Sequence, residues 1–202
     1  MEKNMILKRI CCVLTAACLA IGVTACGMPK KETTPTETTV ARVEDALHDI
    51  TREEMVQKTG IDLPAPDGAE NVSYHVLMAS SDKPIAQMKF TLDGHTAYLR
   101  AQATDFVPAK PGIDAKPEEL ASLLDTDHYD ISGLYYKWEA MGSADVAGRV
   151  GMYCMDKDRG FIAWLDVVPG ILYNLCMEKG ANQEILQNLA ETVFVPLQGE
   201  AK

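Results

Sequence analysis

Six cysteines, four histidines and 29 acidic residues are the side chains through which this chain of 202 residues could do chemistry. Cys11, Cys12 and Cys18 lie in an apolar leader, Cys26 ends it, and only Cys154 and Cys176 fall where the sequence has globular character. There is no CxxC pair and no zinc-type spacing, and two cysteines are too few for a disulfide framework. In a simple meander, the strand beginning at Phe161 separates those of Cys154 and Cys176. The two sulfurs then stand two strand spacings apart, roughly 10 Å, beyond the ~7 Å that a bridge permits. Two buried thiols are expected, with Cys154–Cys176 the one disulfide left open.

His48, His75, His95 and His128 are scattered, with no HxH or HExxH spacing, so neither a catalytic metal nor a cofactor is expected. His75 alternates with core positions and should face outward. Asp125, Asp127 and Asp130, and separately Asp156 and Asp158, are oxygen clusters of a kind that can hold calcium. Tyr129 and Tyr136 stand at the fifth and twelfth positions counted from Asp125, which excludes an EF-hand. A helix exit and a hairpin loop account for these aspartates. Met152 and Cys154 share a strand face while Met155 faces away; a copper(I) site is conceivable there, and core packing of thioethers is the commoner use. Ser143, in Met-Gly-Ser-Ala-Asp, lacks the GxSxG elbow of a nucleophilic hydrolase. No catalytic residue is assigned, and the chain is not expected to be an enzyme.

Cys26 has the most specific context. Lys3, Lys8 and Arg9 make a positive start, Ile10 to Val23 is nearly uncharged and apolar, and small residues follow at Thr24 and Ala25. That is the layout of a secretory signal peptide, shorter than the ~20 apolar residues of a membrane span. Val23-Thr24-Ala25-Cys26 resembles the lipobox of bacterial lipoproteins. The resemblance implies a diacylglycerol on the Cys26 sulfur and cleavage after Ala25. Acyl chains such as palmitate then hold the protein to a membrane at ~0.8 kcal/mol per buried methylene.

Net charge is −10. Removing Lys3, Lys8, Arg9 and Glu2 with the leader leaves 16 basic and 28 acidic residues, a net of −12. Such acidity excludes nucleic acid as a partner and argues against lying flat on an anionic bilayer. The expected organisation is a signal peptide over 1–25, a lipidated cysteine and flexible tether over 26–41, and one domain over 42–202. The tether reads GMPKKETTPTETTVA from Gly27 to Ala41, rich in Thr, Glu and Pro and without apolar periodicity.

The elements that must position these residues follow from pattern. Thr51 and Glu54 make a capping box for a helix that Gly60 can stop, and a further N-terminal helix is expected over Val43 to His48. Val72, Tyr74, Val76 and Met78 alternate, as do Ala86, Met88, Phe90 and Leu92, and, after the Asp93-Gly94 turn, Ala97, Leu99, Ala101 and Ala103. Gln87, Lys89, Thr91, Tyr98, Arg100 and Gln102 point the other way, so one face should be buried and one wet. An insertion over Asp105 to Asp130 carries a helix starting at Pro117. Strands are then expected over Ile131 to Ala140, Val146 to Met155, Phe161 to Val168 and Ile171 to Met177. Asn182 caps a final helix whose buried side is Ile185, Leu186, Leu189, Ala190 and Val193. Tyr135, Tyr136, Trp138, Tyr153, Trp164 and Tyr173 could line a groove.

The order predicts an α+β fold: a largely antiparallel meander with N-terminal and C-terminal helices packed on one face. Gly60-Ile61-Asp62-Leu63-Pro64, Asp130-Ile131-Ser132-Gly133-Leu134-Tyr135 and the terminal amphipathic helix also resemble an uncharacterised extracytoplasmic domain. That domain occurs in clostridial-type surface lipoproteins and some anti-sigma proteins, and the resemblance implies an outside location without established catalytic residues. The expectation is a membrane-anchored surface lipoprotein of a Gram-positive-type bacterium, with a non-catalytic domain that binds a protein, peptide or cell-wall partner. The alternative is a small-ligand or ion-binding carrier serving a transporter or sensor.

Overall fold

The computed structural model describes residues 45–105, 130–133, 140–167 and 170–198. Cys26, the tether, the helix expected at Pro117, and Tyr135, Tyr136 and Trp138 lie outside them. The elements in chain order are β1 (Leu47–Ile50), α1 (Arg52–Thr59), β2 (Glu70–Leu77), β3 (Ile85–Leu92), β4 (His95–Ala103), β5 (Ala140–Val146), β6 (Arg149–Asp156), β7 (Arg159–Asp166), β8 (Ile171–Met177) and α2 (Gln183–Gln198).

Among the described residues the eight strands form one sheet in the order β1-β2-β3-β4-β8-β7-β6-β5, antiparallel at every pairing. β1 to β4 make one meander and β5 to β8 a second. The last strands of the two, β4 and β8, pair at the centre. The sheet therefore grows outward from the middle, with β1 and β5 at its edges.

One face carries the larger core. Val76, Met88, Phe90, Leu99, Ile162, Trp164 and Leu175 of the sheet join Met55 of α1 and Leu186, Leu189, Ala190 and Val193 of α2 in a single buried cluster. α1 begins because the Thr51 hydroxyl accepts from the Glu54 amide at 3.2 Å while the Glu54 carboxylate accepts from the Thr51 amide at 2.8 Å. It ends at Gly60, whose φ of 71° would strain a side chain with a Cβ. α2 is capped by the Asn182 side chain, which accepts from the Ile185 amide at 2.9 Å.

Four expectations change. Leu47 to Ile50 is a strand rather than the end of a helix over Val43 to His48; its backbone pairs with β2, and residues 43–44 lie outside the description. Ile131 and Ser132 sit in a turn rather than at the start of a strand reaching Ala140; residues 134–139 of that expected strand lie outside the description, and β5 runs Ala140–Val146. The strand expected from Val146 is broken by a hairpin, with Ala147 and Gly148 at φ 48° and 85°. Alanine seldom takes that left-handed conformation, so Gly148 is the one turn signal in this pair. Finally, the second face is not wet. Leu77, Ile85, Ile131, Met152, Cys154, Phe161, Ala163, Leu165, Leu172 and Cys176 form a second buried cluster, and Gln87 and Arg100 are buried with it.

On the first face, beside Met155 and Met177, Gly160 shows how tight the packing is. A Cβ there would lie 2.6 Å from Met155 Sδ and 2.7 Å from the Cys154 carbonyl oxygen. The thioether can swing aside but the backbone oxygen cannot. Gly160→Ala is expected to destabilise the fold by about 1–3 kcal/mol, read as a lowered urea midpoint at unchanged slope.

Candidate functional site

Cross-strand register lines up seven residues on the second face: His75, Gln87, Arg100, Asn174, Ala163, Met152 and Ser143. Directly opposed residues of antiparallel strands share a face, so this is one row across the sheet. Its central members are polar and buried, with Gln87 at 7%, Arg100 at 6% and Asn174 at 0% relative exposure.

Arg100 is the hub. Its Nε donates to Gln87 Oε1 at 2.7 Å, and its Nη1 donates to Asp130 Oδ2 at 2.7 Å and to Cys176 Sγ at 3.1 Å. The guanidinium also lies 5.5 Å from the centre of the Tyr98 ring. Asp130 Oδ1 accepts from the Ser132 amide at 2.8 Å and from its hydroxyl at 2.6 Å. The side chains of the pair are 7% and 0% exposed. An arginine does not give up its proton in a protein, so this centre is a charge clamp rather than an acid–base device. It ties Asp130, from the connection between β4 and β5, to the middle of the sheet.

Asn174, beside Arg100 in the row, has both amide atoms buried without a hydrogen-bond partner among the described residues. The Trp164 ring nitrogen, on the other face, shares this condition. Each such group opposes folding by about 1–3 kcal/mol, against which the surrounding packing must work.

Cys154 and Cys176 are both buried and are not joined in a disulfide. Phe161 of β7 pairs with Cys154 on one side and Cys176 on the other, so the intervening strand keeps the Cys154–Cys176 disulfide from forming. Burial, then the charge of Asp156, push the Cys154 thiol up to about 12, with Arg159 opposing. The thiolate, the nucleophilic form, is suppressed. Met155 packs on the first face and Met152 and Cys154 on the second, so the three are not gathered around one ion.

The other expected residues are dispersed. Asp130 is paired with Arg100, and Asp156 with Arg159 at 2.6 Å. Asp125, Asp127 and His128 lie outside the described residues. The Asp158 carbonyl accepts from the Ala181 amide. Trp164 and Tyr173 stack with ring centres 5.3 Å apart in the first-face core, and the Tyr153 ring lies over Gly142. Trp164 and Tyr173 are both buried.

One juxtaposition was invisible to motif spacing. His48 of β1 and His75 of β2 approach to 3.3 Å between their Nδ1 atoms. His75 is partly buried rather than fully outward. Desolvation, then the neighbouring His48, lower its pKa, while Asp49 acts in the opposite sense and Lys89 in the same sense. Only strand pairing brings residues 27 positions apart to one spot. Comparison with protein-family models, with curated proteins and with solved structures found no match.

Two outcomes follow from the buried groups. Asp130→Ala takes from the buried Arg100 charge the carboxylate 2.7 Å away and is expected to destabilise by about 3–5 kcal/mol, whereas Arg100→Met with Asp130→Leu loses far less; chemical denaturation of the three proteins compares them. Cys154 ionises near 9 when unfolded and near 12 in the fold, so its neutral form stabilises the fold fully below pH 9. That contribution is lost as pH rises from 9 towards 12. The urea midpoint should fall across this window, and less steeply in Cys154→Ala.

Proposed function

We propose that this protein is a lipoprotein anchored through Cys26 to the extracytoplasmic face of a cell membrane, carrying a non-catalytic domain that binds a protein, a peptide or a cell-wall component. The observation that carries the reading is Val23-Thr24-Ala25-Cys26 at the end of an apolar run that follows Lys3, Lys8 and Arg9. A diacylglycerol at that sulfur supplies the two chains that lasting membrane attachment needs. The Thr- and Glu-rich stretch behind it gives reach, and the excess of acidic residues keeps the domain in water rather than on an anionic lipid surface.

The nature of the domain is supported by what its buried ionisable groups do. Arg100 and Asp130 neutralise one another, and Cys154 is held as a neutral thiol. Groups held this way serve rigidity, and a rigid sheet is a platform on which edges and loops can present a binding surface.

The full-length chain and its Cys26→Ser variant, produced in a bacterium that processes lipoproteins, test this. The unaltered chain is expected in the membrane fraction with Cys26 as its first residue and a mass increment of diacylglycerol. The variant is expected in the medium or the soluble fraction. Residues 1–25 still attached to the unaltered chain, or equal membrane retention of the variant, would overturn the reading.

A further inference from the structure

We propose that His48 and His75 form a surface site for a borderline transition-metal ion of the Zn(II) type, coordinated through both Nδ1 atoms. Zinc–imidazole bonds of about 2.0–2.1 Å at a tetrahedral angle set two ligand nitrogens about 3.3–3.4 Å apart. The two Nδ1 atoms stand 3.3 Å apart. The same geometry places the ring centres about 5.2 Å from each other. They lie 5.3 Å apart, with the ring planes inclined at 69°. A square-planar ion such as Cu(II) would instead want neighbouring nitrogens about 2.8 Å apart at bonds of similar length, so the spacing favours the tetrahedral ion.

The backbone is shaped for this approach. Leu47 pairs with Val76 and Ile50 with Tyr74, so two residues of β1, His48 and Asp49, stand opposite the single residue His75. This is a bulge on an edge strand, a device that re-aims a side chain. Asp49 takes the left-handed conformation that the bulge needs, at φ 52°, which aspartate tolerates better than most residues.

The far side of the pair is also prepared. His75 Nε2 lies 3.1 Å from Ser73 Oγ. With the ring proton on Nε2 and donated to that hydroxyl, the Nδ1 lone pair is left for the metal, the outer-sphere arrangement common to metal-binding histidines. His48 is exposed, so an ion can reach the pair from solvent. Among the described residues no group of three or more His, Cys, Asp or Glu side chains is arranged to hold a metal ion. Water or another donor completes the coordination, and a pair of ligands open to solvent suits an exchangeable ion rather than a structural one. The proposal does not depend on whether Cys26 carries lipid.

Zn(II) titration of the full-length chain, followed by isothermal calorimetry and by NMR of the histidine ring nitrogens, tests it. One equivalent is expected to bind saturably, with the Nδ1 signals of His48 and His75 shifting together. His48→Gln, at an exposed edge position where folding is not at stake, should weaken binding at least tenfold. It should also abolish the rise in thermal midpoint that Zn(II) produces. Ser73→Ala should weaken binding by about tenfold or more while the stoichiometry is kept, and His95→Gln should change nothing. Absence of saturable binding up to millimolar Zn(II), or one-equivalent binding that survives His48→Gln, would overturn the proposal and leave the pair as a nitrogen–nitrogen hydrogen bond.

Discussion

The pairing of β4 with β8 is the constraint on which the molecule depends. Each four-stranded meander closes its own hairpins locally, but each leaves its last strand with an unpaired edge. Joining Tyr98–Ala103 to Ile171–Cys176 turns two open sheets into one. These partners are far apart in sequence, so their loop-closure entropy must be met before the contacts form. The apolar residues facing α1 and α2 provide the compensation, because Leu99 and Leu175 enter the same buried cluster as Leu186 and Leu189.

The second face follows from that junction. Arg100 sits on β4 and Asn174 opposite it on β8, so the join carries a polar centre rather than an apolar one. An ion pair this deeply buried stabilises little in net terms, since desolvation offsets most of the attraction. Its contribution is selectivity: it holds Asp130 at one place on the sheet, beside Arg100. The unpartnered Asn174 amide beside it lies on the strand that the join requires.

Edges are where a sheet meets the outside. β1 is short, carries His48 and Asp49 in a bulge, and exposes most of its side chains, features that discourage further strand addition.

How much of this was legible in the sequence depends on the range of the interaction. Period-two alternation at Ala86–Leu92 and Ala97–Ala101, the Asp93-Gly94 turn, and the caps at Thr51 and Asn182 are local effects, and strands, turn and helix starts are read directly from them. The separation of Cys154 and Cys176 by one strand also followed, because consecutive hairpins pair in order. The clothing of the second face did not follow. Gln87 and Arg100 look solvated by type, and Asp130, thirty residues beyond Arg100, joins them in a buried clamp. The Ala147-Gly148 turn was hidden by an alanine in a conformation it rarely takes. The proximity of His48 and His75 was hidden by a bulge that shifts register at one residue. The sequence by itself determined most of the strands and the helix starts, because propensity, periodicity and capping act over a few residues. Tertiary structure alone decided which side chains meet, because strand pairing joins residues that no local spacing relates.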